Sequence, residues 1–215
     1  MLEIGEKLRT ARRSQGLSLR ELAARAEVSA SLLSQIENGK ANPSVRSLHS
    51  IADALSLPID YFFPDRSSEE ATGPWTASDL RAAQVAALRE DAAPGFDEQE
   101  QSLPGPALRA DARSTIELRG GVTWARLTPG QEAGIEFLQV VYDVGADSGV
   151  KMSHHIGREF GLVLEGELTV ELGFERYVLC PGDSIIFDST TPHRLVNAGQ
   201  APVRAIWVVF DTVSK

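Results

Sequence analysis

Residues 17–44, with the sequence LSLRELAARAEVSASLLSQIENGKANPS, decide the fold of the first part of the chain. Ser18 and Glu21 have the spacing of a capping box, in which each side chain accepts a hydrogen bond from the other residue's backbone N–H, so a helix begins there. A second helix begins after Ser29 and ends at Asn38-Gly39, because glycine readily adopts the left-handed conformation that ends a helix. Only a short turn separates the two helices, which predicts a helix-turn-helix unit.

The segments on either side extend this unit to a bundle of five helices over residues 1–64. Apolar residues recur at helical spacing before Gly16 and again after Pro43, which predicts one helix on each side of the central pair. Residues 58–63 are rich in aromatic side chains and predict a short fifth helix. His49 falls in the fourth helix without a metal-ligating neighbour, so we expect a packed or surface histidine there.

The outward face of the third helix predicts contacts with DNA, since the second helix of such a unit enters the major groove. Gln35 can make a bidentate contact with adenine, and Ser31 can bond to a base edge. Backbone amides after Ser29, together with Asn38 and Lys40, would hold phosphates. The expected DNA-binding residues are Ser29, Ala30, Ser31, Ser34, Gln35, Asn38 and Lys40. The alternative is a helical interaction bundle whose polar face is merely solvated.

The distribution of charge is compatible with DNA binding by the helical part. The chain of 215 residues has a formal net charge of -9. Residues 1–64 nevertheless carry 8 basic and 7 acidic residues, so the acidic excess lies in the remainder of the chain. A near-neutral domain can still bind DNA when its basic groups lie on one face.

Composition excludes several other classes of protein. With 42% hydrophobic and 24% charged residues, the chain is neither disordered nor fibrous. No apolar run reaches the roughly 18 residues that a membrane helix needs. Cys180 is the single cysteine, so an internal disulfide and a cysteine zinc cluster are both excluded. We therefore expect a cytoplasmic protein with no membrane partner.

A linker is expected between residues 65 and 112. It contains stretches rich in proline, glycine and acidic residues, such as APGFDEQEQSLPGPA, which bury too little apolar surface to fold alone. Within it, SDLRAAQVAALR at residues 78–89 predicts a single helix.

From residue 113 the pattern of apolar residues changes to a period of two. Short segments rich in β-branched residues, such as ELTVELG and VRAIWVVF, alternate with glycine and proline turns. Many short strands at this spacing predict an antiparallel sandwich or barrel over residues 113–215. The fold class is therefore an all-α part followed by an all-β part.

Histidines in the β part form a candidate metal site. Glu159 follows His155 at four residues, and antiparallel pairing can return His193 from a later strand to the same point. Two imidazoles and one carboxylate suffice to bind a divalent transition metal with open coordination positions. The alternative is that His155 and its histidine neighbour belong to a polar loop that enters a strand.

The helical part resembles a known family over residues 4–63. The stretch SQIENGKANPS is similar to the end of the recognition helix in helix-turn-helix regulators of the xenobiotic-response-element (XRE) type, which are related to phage repressors. The resemblance implies that Arg12 and Glu37 form a structural ion pair. Glu27 stands where the family usually has glycine in the turn, and a left-handed conformation there would cost on the order of 1 kcal/mol.

The β part resembles the cupins, which are small double-stranded β-helix barrels. GVKMSHHIGREFGLVLEG at residues 149–166 and PGDSIIFDSTTPHRLVN at residues 181–197 are similar to the two cupin motifs. The resemblance implies a ligand pocket lined by Ser153, His155, Glu159 and His193. Ser153 takes the place of the first metal histidine, so three of the four metal ligands are kept.

The order of the two parts resembles a group of bacterial one-component regulators. That resemblance implies operator DNA and a small-molecule effector as partners, with a cupin domain that senses the effector and forms a homodimer. The alternative function is a metal-dependent cupin enzyme with an accessory DNA-binding domain, in which His155, Glu159 and His193 would hold iron. We expect a regulator rather than an enzyme, since the sequence offers no further acid/base pair.

Overall fold

The helical part has four α-helices in a computed structural model that describes residues 2–64 and 106–210. They are α1 (Leu2–Ser14), α2 (Leu19–Arg25), α3 (Ala30–Glu37) and α4 (Val45–Leu55). The predicted fifth helix is wrong, because Ile59–Phe62 forms one turn of 3-10 helix. Its hydrogen bonds join residues three apart, whereas those of an α-helix join residues four apart. The Tyr61 N–H, for example, donates to Pro58 O at 3.1 Å.

The helix-turn-helix unit has the caps that its sequence predicts. The Ser18 hydroxyl accepts a hydrogen bond from the Glu21 N–H, and the Glu21 carboxylate accepts one from the Ser18 N–H. At the start of α3 the Ser29 hydroxyl accepts from the Leu32 N–H at 3.0 Å. Leu22 of α2 and Leu33 of α3 are fully buried, so the two helices pack through a common apolar core.

The remainder of the described chain is a short 3-10 helix (Ala110–Ala112) followed by nine strands in two antiparallel sheets. The strands are β1 (Thr115–Leu118), β2 (Val122–Arg126), β3 (Ile135–Tyr142), β4 (Arg158–Glu165), β5 (Leu168–Leu172), β6 (Glu175–Leu179), β7 (Ser184–Asp188), β8 (His193–Val196) and β9 (Val203–Phe210). The larger sheet has the order β1-β2-β3-β9-β4-β7, and the smaller has the order β6-β5-β8. The predicted helix 78–89 lies outside the described residues, and the domain limits at 64 and 112 stay predictions.

A close contact between β4 and β9 fixes the position of one buried indole. Gly161 lies directly opposite Trp207 in the pairing of these strands. A Cβ atom at Gly161 would lie 2.2 Å from the Trp207 ring, so only glycine lets the indole lie flat across the sheet at this point. The ring is thereby directed toward Glu159, two residues earlier on β4.

The helical part packs directly against the β part. Arg126 of β2 donates a hydrogen bond to Asp60 at 3.2 Å, and both side chains are buried. Two backbone hydrogen bonds cross the same contact, from the Arg119 N–H to Pro43 O at 2.8 Å and from the Arg46 N–H to Ser148 O at 3.1 Å. We call this arrangement the docked state. None of the described helices is long and apolar enough to cross a membrane.

We predict that Glu27→Gly stabilises the protein. Glu27 has a φ of 52°, a left-handed conformation that is unfavourable for any residue with a Cβ atom. Glycine removes that penalty, so the free energy of unfolding in urea should rise by about 1 kcal/mol. Glu27→Gln is the matched control, because it also removes the charge facing Arg46 but keeps the Cβ atom. Equal stability of the two variants would contradict this explanation.

Candidate nucleic-acid interface and metal centre

The outward face of α3 carries the residues that the sequence assigns to base contacts. Ser31 and Gln35 are exposed one turn apart, while Ala30 and Ser34 are half-buried beside them. Lys40 is exposed just beyond the end of the helix. The face is polar and stays exposed to solvent while the two parts are docked.

Asn38 and Ser29 also have local roles at the ends of α3. The Asn38 amide donates to Ser34 O at 2.6 Å, and its carbonyl oxygen accepts from Arg9 at 2.8 Å. Ser29 caps the other end of the helix. These bonds hold Asn38 at the edge of the α3 face and place the Arg9 guanidinium at the same edge, where it adds a positive charge.

A buried ion pair ties α1 to the end of α3. Arg12 donates from Nε to Glu37 Oε1 at 2.6 Å and from Nη2 to Oε2 at 2.9 Å. Its third contact is a hydrogen bond from Nη1 to Leu17 O at 2.8 Å. Bidentate pairing fixes both side chains in one geometry, so the angle at which α3 leaves the bundle depends on this pair.

In the β part the structure brings together the three residues predicted to bind a metal. Glu159 lies on β4, His193 begins β8, and His155 lies in the loop before β4. Glu159 Oε1 is 2.9 Å from His155 Nε2 and 3.2 Å from His193 Nε2. One ligand atom from each residue lies within 4.8 Å of the others, and all three side chains are buried.

The hydrogen bonds of the two imidazoles show which nitrogen atoms face Glu159. His155 Nδ1 lies 3.2 Å from Ile156 O, and His193 Nδ1 lies 2.9 Å from Thr191 O. Since a carbonyl oxygen can only accept, each Nδ1 donates to its carbonyl, and each Nε2 is left facing Glu159 Oε1. One carboxylate oxygen and two ring nitrogens thus converge on one buried point, where either a proton on an imidazole or a bound metal ion balances the charge of Glu159.

Trp207 holds the carboxylate in this position. Its Nε1–H donates to Glu159 Oε2 at 2.6 Å, which leaves Oε1 to face the two imidazoles. Burial alone would raise the pKa of Glu159, but the adjacent histidines and the indole outweigh it and lower that pKa to about 2. Burial likewise lowers the pKa of His155, yet contact with Glu159 raises it above its ordinary value overall. The sequence analysis did not identify Trp207. Gly161, which lies opposite it, marks a strand position where a large side chain needs space.

Ser153 lies beside the cluster, as the cupin motif implies. Ser153 and His193 exchange two backbone hydrogen bonds of 2.8 Å, and Ser153 Oγ is 3.4 Å from His193 Nε2. The neighbouring His154 is exposed and does not join the buried cluster. Its side chain points away because its position along the chain is out of phase with that of Ser153 and His155.

His49 of α4 covers the cluster, a role that sequence reasoning missed. Its ring stacks on His155 with the centroids 4.5 Å apart and the planes at 5°. It also meets Trp124 edge-on at 5.7 Å. Burial, and next the charge of His155, lower the pKa of His49 well below its ordinary value. No spacing within α4 could have indicated this role, because it depends on how the two parts of the chain pack.

Comparison with known proteins agrees with this architecture. A model of helix-turn-helix domains matches residues 8–62, and a model of cupin domains matches residues 138–209. The transcriptional regulator ClgR of Mycobacterium tuberculosis is 43% identical over 68 residues, which are 32% of this chain and 61% of ClgR. This chain thus spans about three fifths of that relative's length.

Two further similarities extend over nearly the whole chain. The transcriptional regulator PuuR of Escherichia coli is 24% identical over 204 residues, 94% of this chain and 91% of PuuR. A solved structure of an HTH_3 family transcriptional regulator from Vibrio cholerae superposes with a TM-score of 0.60 at 22% identity, covering 97% of this chain and 95% of that one. At that identity the structural similarity establishes the fold alone.

We predict that removing one partner of the Arg12–Glu37 pair is more harmful than removing both. Arg12→Met leaves a buried carboxylate whose remaining cationic neighbour, Arg9, is 3.5 Å away. The free energy of unfolding should fall by about 3 kcal/mol, and adding Glu37→Leu should recover most of that loss. Chemical denaturation of the single and double variants measures the difference. A double variant as unstable as Arg12→Met would show that the charge is not the cause.

Proposed function

The chain belongs to the XRE-type helix-turn-helix transcriptional regulators with a C-terminal cupin domain, and from this premise we propose that it regulates transcription in response to an effector in its cupin domain. The observation that carries the proposal is the presence in one chain of an accessible α3 face and a buried cluster of two histidines and one glutamate that could hold a cation. The first would read operator DNA, and the second would hold the effector.

Operator reading is assigned to α3. Gln35 and Ser31 would contact base edges, while Lys40 and the α3 amides would hold phosphates. One such helix contacts too few bases for a unique site, so two copies of the chain would read two half-sites about one helical turn, or roughly 34 Å, apart.

The cupin domains would form the dimer. We expect the two sheets to make the double-stranded β-helix barrel of a cupin, and their outer surface carries exposed apolar residues. Leu162 and Ile186 lie on paired strands and line an open groove together with Ile206 and Val208. A second copy of the chain is the partner that a symmetric regulator requires for this surface.

The effector site is assigned to His155, Glu159 and His193, with Ser153 beside them. Two imidazoles and one carboxylate suit a divalent transition metal and leave coordination positions open. Each metal-facing histidine donates its other ring N–H to a backbone carbonyl, which is the usual support of a metal ligand. When bound, such an ion would supply Lewis acidity and open positions for a further ligand.

An enzyme built on the same cluster is the alternative. The donor set favours it, since iron oxygenases use two histidines and one carboxylate. The size of the cavity that contains Glu159 and His193 opposes it, because about 30 Å³ gives no room at these two residues for an organic substrate in the docked state. We therefore prefer the regulator.

Substitution of Gln35 on α3 and of Lys40 just after α3 should separate base reading from phosphate binding. Gln35→Ala should weaken operator binding by about 1–3 kcal/mol and leave binding to random DNA unchanged, because the contact specifies a base. Lys40→Ala should weaken both alike and reduce the salt dependence, because its contact is with phosphate. Fluorescence anisotropy on both DNAs gives the comparison. Equal losses on the two DNAs for Gln35→Ala would contradict base reading.

Metal content should depend on His155 and not on its neighbour. Wild-type protein equilibrated with Co²⁺ or Zn²⁺ should retain about one equivalent in elemental analysis. His155→Ala should bind at least about 10-fold more weakly, whereas the matched control His154→Ala should bind like wild type. Ser153→His should tighten binding by restoring a fourth ligand.

The metal should be released by acid. Metal binds the unprotonated imidazole, and contact with Glu159 raises the pKa of His155, so acidification from about pH 8 to about pH 6 should release metal.

One result of the elemental analysis would contradict the metal proposal. Metal bound by Ser153→His and not by wild type would indicate an organic ligand pocket instead.

A further inference from the structure

We propose that the effector cavity is shared between the two domains, with α4 of the DNA-binding domain as one of its walls. In the docked state it admits a single metal ion with about one water molecule, and a larger organic occupant must expel α4 from the cupin domain. This inference rests on the proposed function in one respect, since it takes the cavity to be the effector site.

The first support is the position of His49 and Val45. Both belong to α4, and both line the cavity that also contains Ser153, Glu159 and His193. The His49 ring lies flat against the ring of His155, one of the three clustered residues. The DNA-binding domain therefore contacts the effector site directly, and no chain of intermediate residues is needed to connect them.

The second support is the size of the cavity. Its volume is about 30 Å³, whereas a water molecule needs roughly 10–15 Å³ on this scale and pockets for organic ligands measure roughly 300–1,000 Å³. Most of its lining belongs to paired strands whose positions the sheet hydrogen bonds fix. The wall contributed by α4 is held by fewer contacts, so it is the wall that can move.

The third support is the nature of those contacts. The docked state is held by the buried Asp60–Arg126 pair, by the Arg46 and Arg119 backbone hydrogen bonds, and by the His49 ring. The α3 face stays exposed in this state, and the same bonds fix the direction in which α3 points relative to the β part. Undocking would release that constraint and alter the spacing of two α3 helices in a dimer.

A smaller movement is the competing explanation. His49 also lines open clefts between α4 and residues 152–156, and Ser153 and His155 each line one of these clefts. A rotation of His49 alone could therefore join the cavity to a cleft while α4 stays in place. The two explanations differ in whether the Arg46 hydrogen bond breaks.

The Arg46 amide is a direct probe of docking. Arg46 is the second residue of α4, and the first four N–H groups of a helix have no partner within the helix. Its protection from hydrogen exchange therefore depends on Ser148 O in the cupin domain, at 3.1 Å. The Arg119 amide, bonded to Pro43 O, is a second probe on the other side of the contact.

The experiment fills the cavity covalently in the full-length chain. Ser153→Leu places a side chain larger than the available space in the cavity, and Ser153→Ala is the matched control. We expect Ser153→Leu to speed exchange of the Arg46 and Arg119 amides at least about 10-fold and Ser153→Ala to leave both unchanged. His49→Trp enlarges the α4 wall without altering the cupin domain and should have the same effect.

Amides of the β3–β9 pairing, such as that of Val140, show whether the cupin domain stays folded. If Ser153→Leu exposes them, His49→Trp decides the outcome. Unchanged Arg46 and Arg119 exchange in folded Ser153→Leu and His49→Trp would overturn the proposal in favour of a rotation of His49. That result does not depend on whether the wild type binds a metal.

Operator affinity then tests the functional consequence. Ser153→Leu should change the dissociation constant for operator DNA at least about 5-fold relative to Ser153→Ala, the lower end of typical coupling between sites. Undocking without a change in operator affinity would overturn the link between cavity and DNA. Absence of operator binding by the wild type would instead refute the proposed function and leave the docking result standing.

Discussion

The carboxylate of Glu159, buried between two imidazoles, is the constraint on which the rest of the cupin domain depends. A buried charge is unfavourable unless it is paired and hydrogen-bonded. Trp207 donates one hydrogen bond to the carboxylate, and the two Nε2 atoms face its other oxygen at 2.9 and 3.2 Å, where a proton on an imidazole or a bound cation balances its charge. Gly161 exists in this sheet because the indole needs its space. The domain is therefore built around a point that attracts positive charge.

The same point connects the cupin domain to the DNA-binding domain. His49 lies on His155, and the buried Asp60–Arg126 pair holds α4 in place beside it. A change in the position of His155 would therefore act on the DNA-binding domain directly, through the ring of His49. Coupling through a direct contact requires only that the occupant and α4 compete for space. A small occupant therefore leaves α4 docked, whereas a large one favours the undocked state.

Local patterns predicted much of this structure, and contacts between distant residues account for the rest. The capping residues Ser18 and Ser29 set the starts of α2 and α3, because a cap acts within three residues of the chain. The cupin motif located His155, Glu159 and His193. Neither pattern could indicate His49, whose role exists only when the two domains pack. The segment after Pro58 forms one 3-10 turn instead of an α-helix, and the burial of Ile59, Phe62 and Phe63 holds it against the bundle.

Operator binding by metal-loaded and metal-free full-length protein is the measurement that tests the central claim most directly. The operator is first selected from a random DNA pool, and affinity is then titrated for both forms beside His155→Ala. The account predicts a two-fold symmetric site with half-sites roughly one helical turn apart. It also predicts an affinity that differs at least about 5-fold between the two forms, because an ion that fills the docked cavity favours the docked state, with no such difference in His155→Ala. Identical affinities of loaded and metal-free wild type, with metal bound, would contradict it.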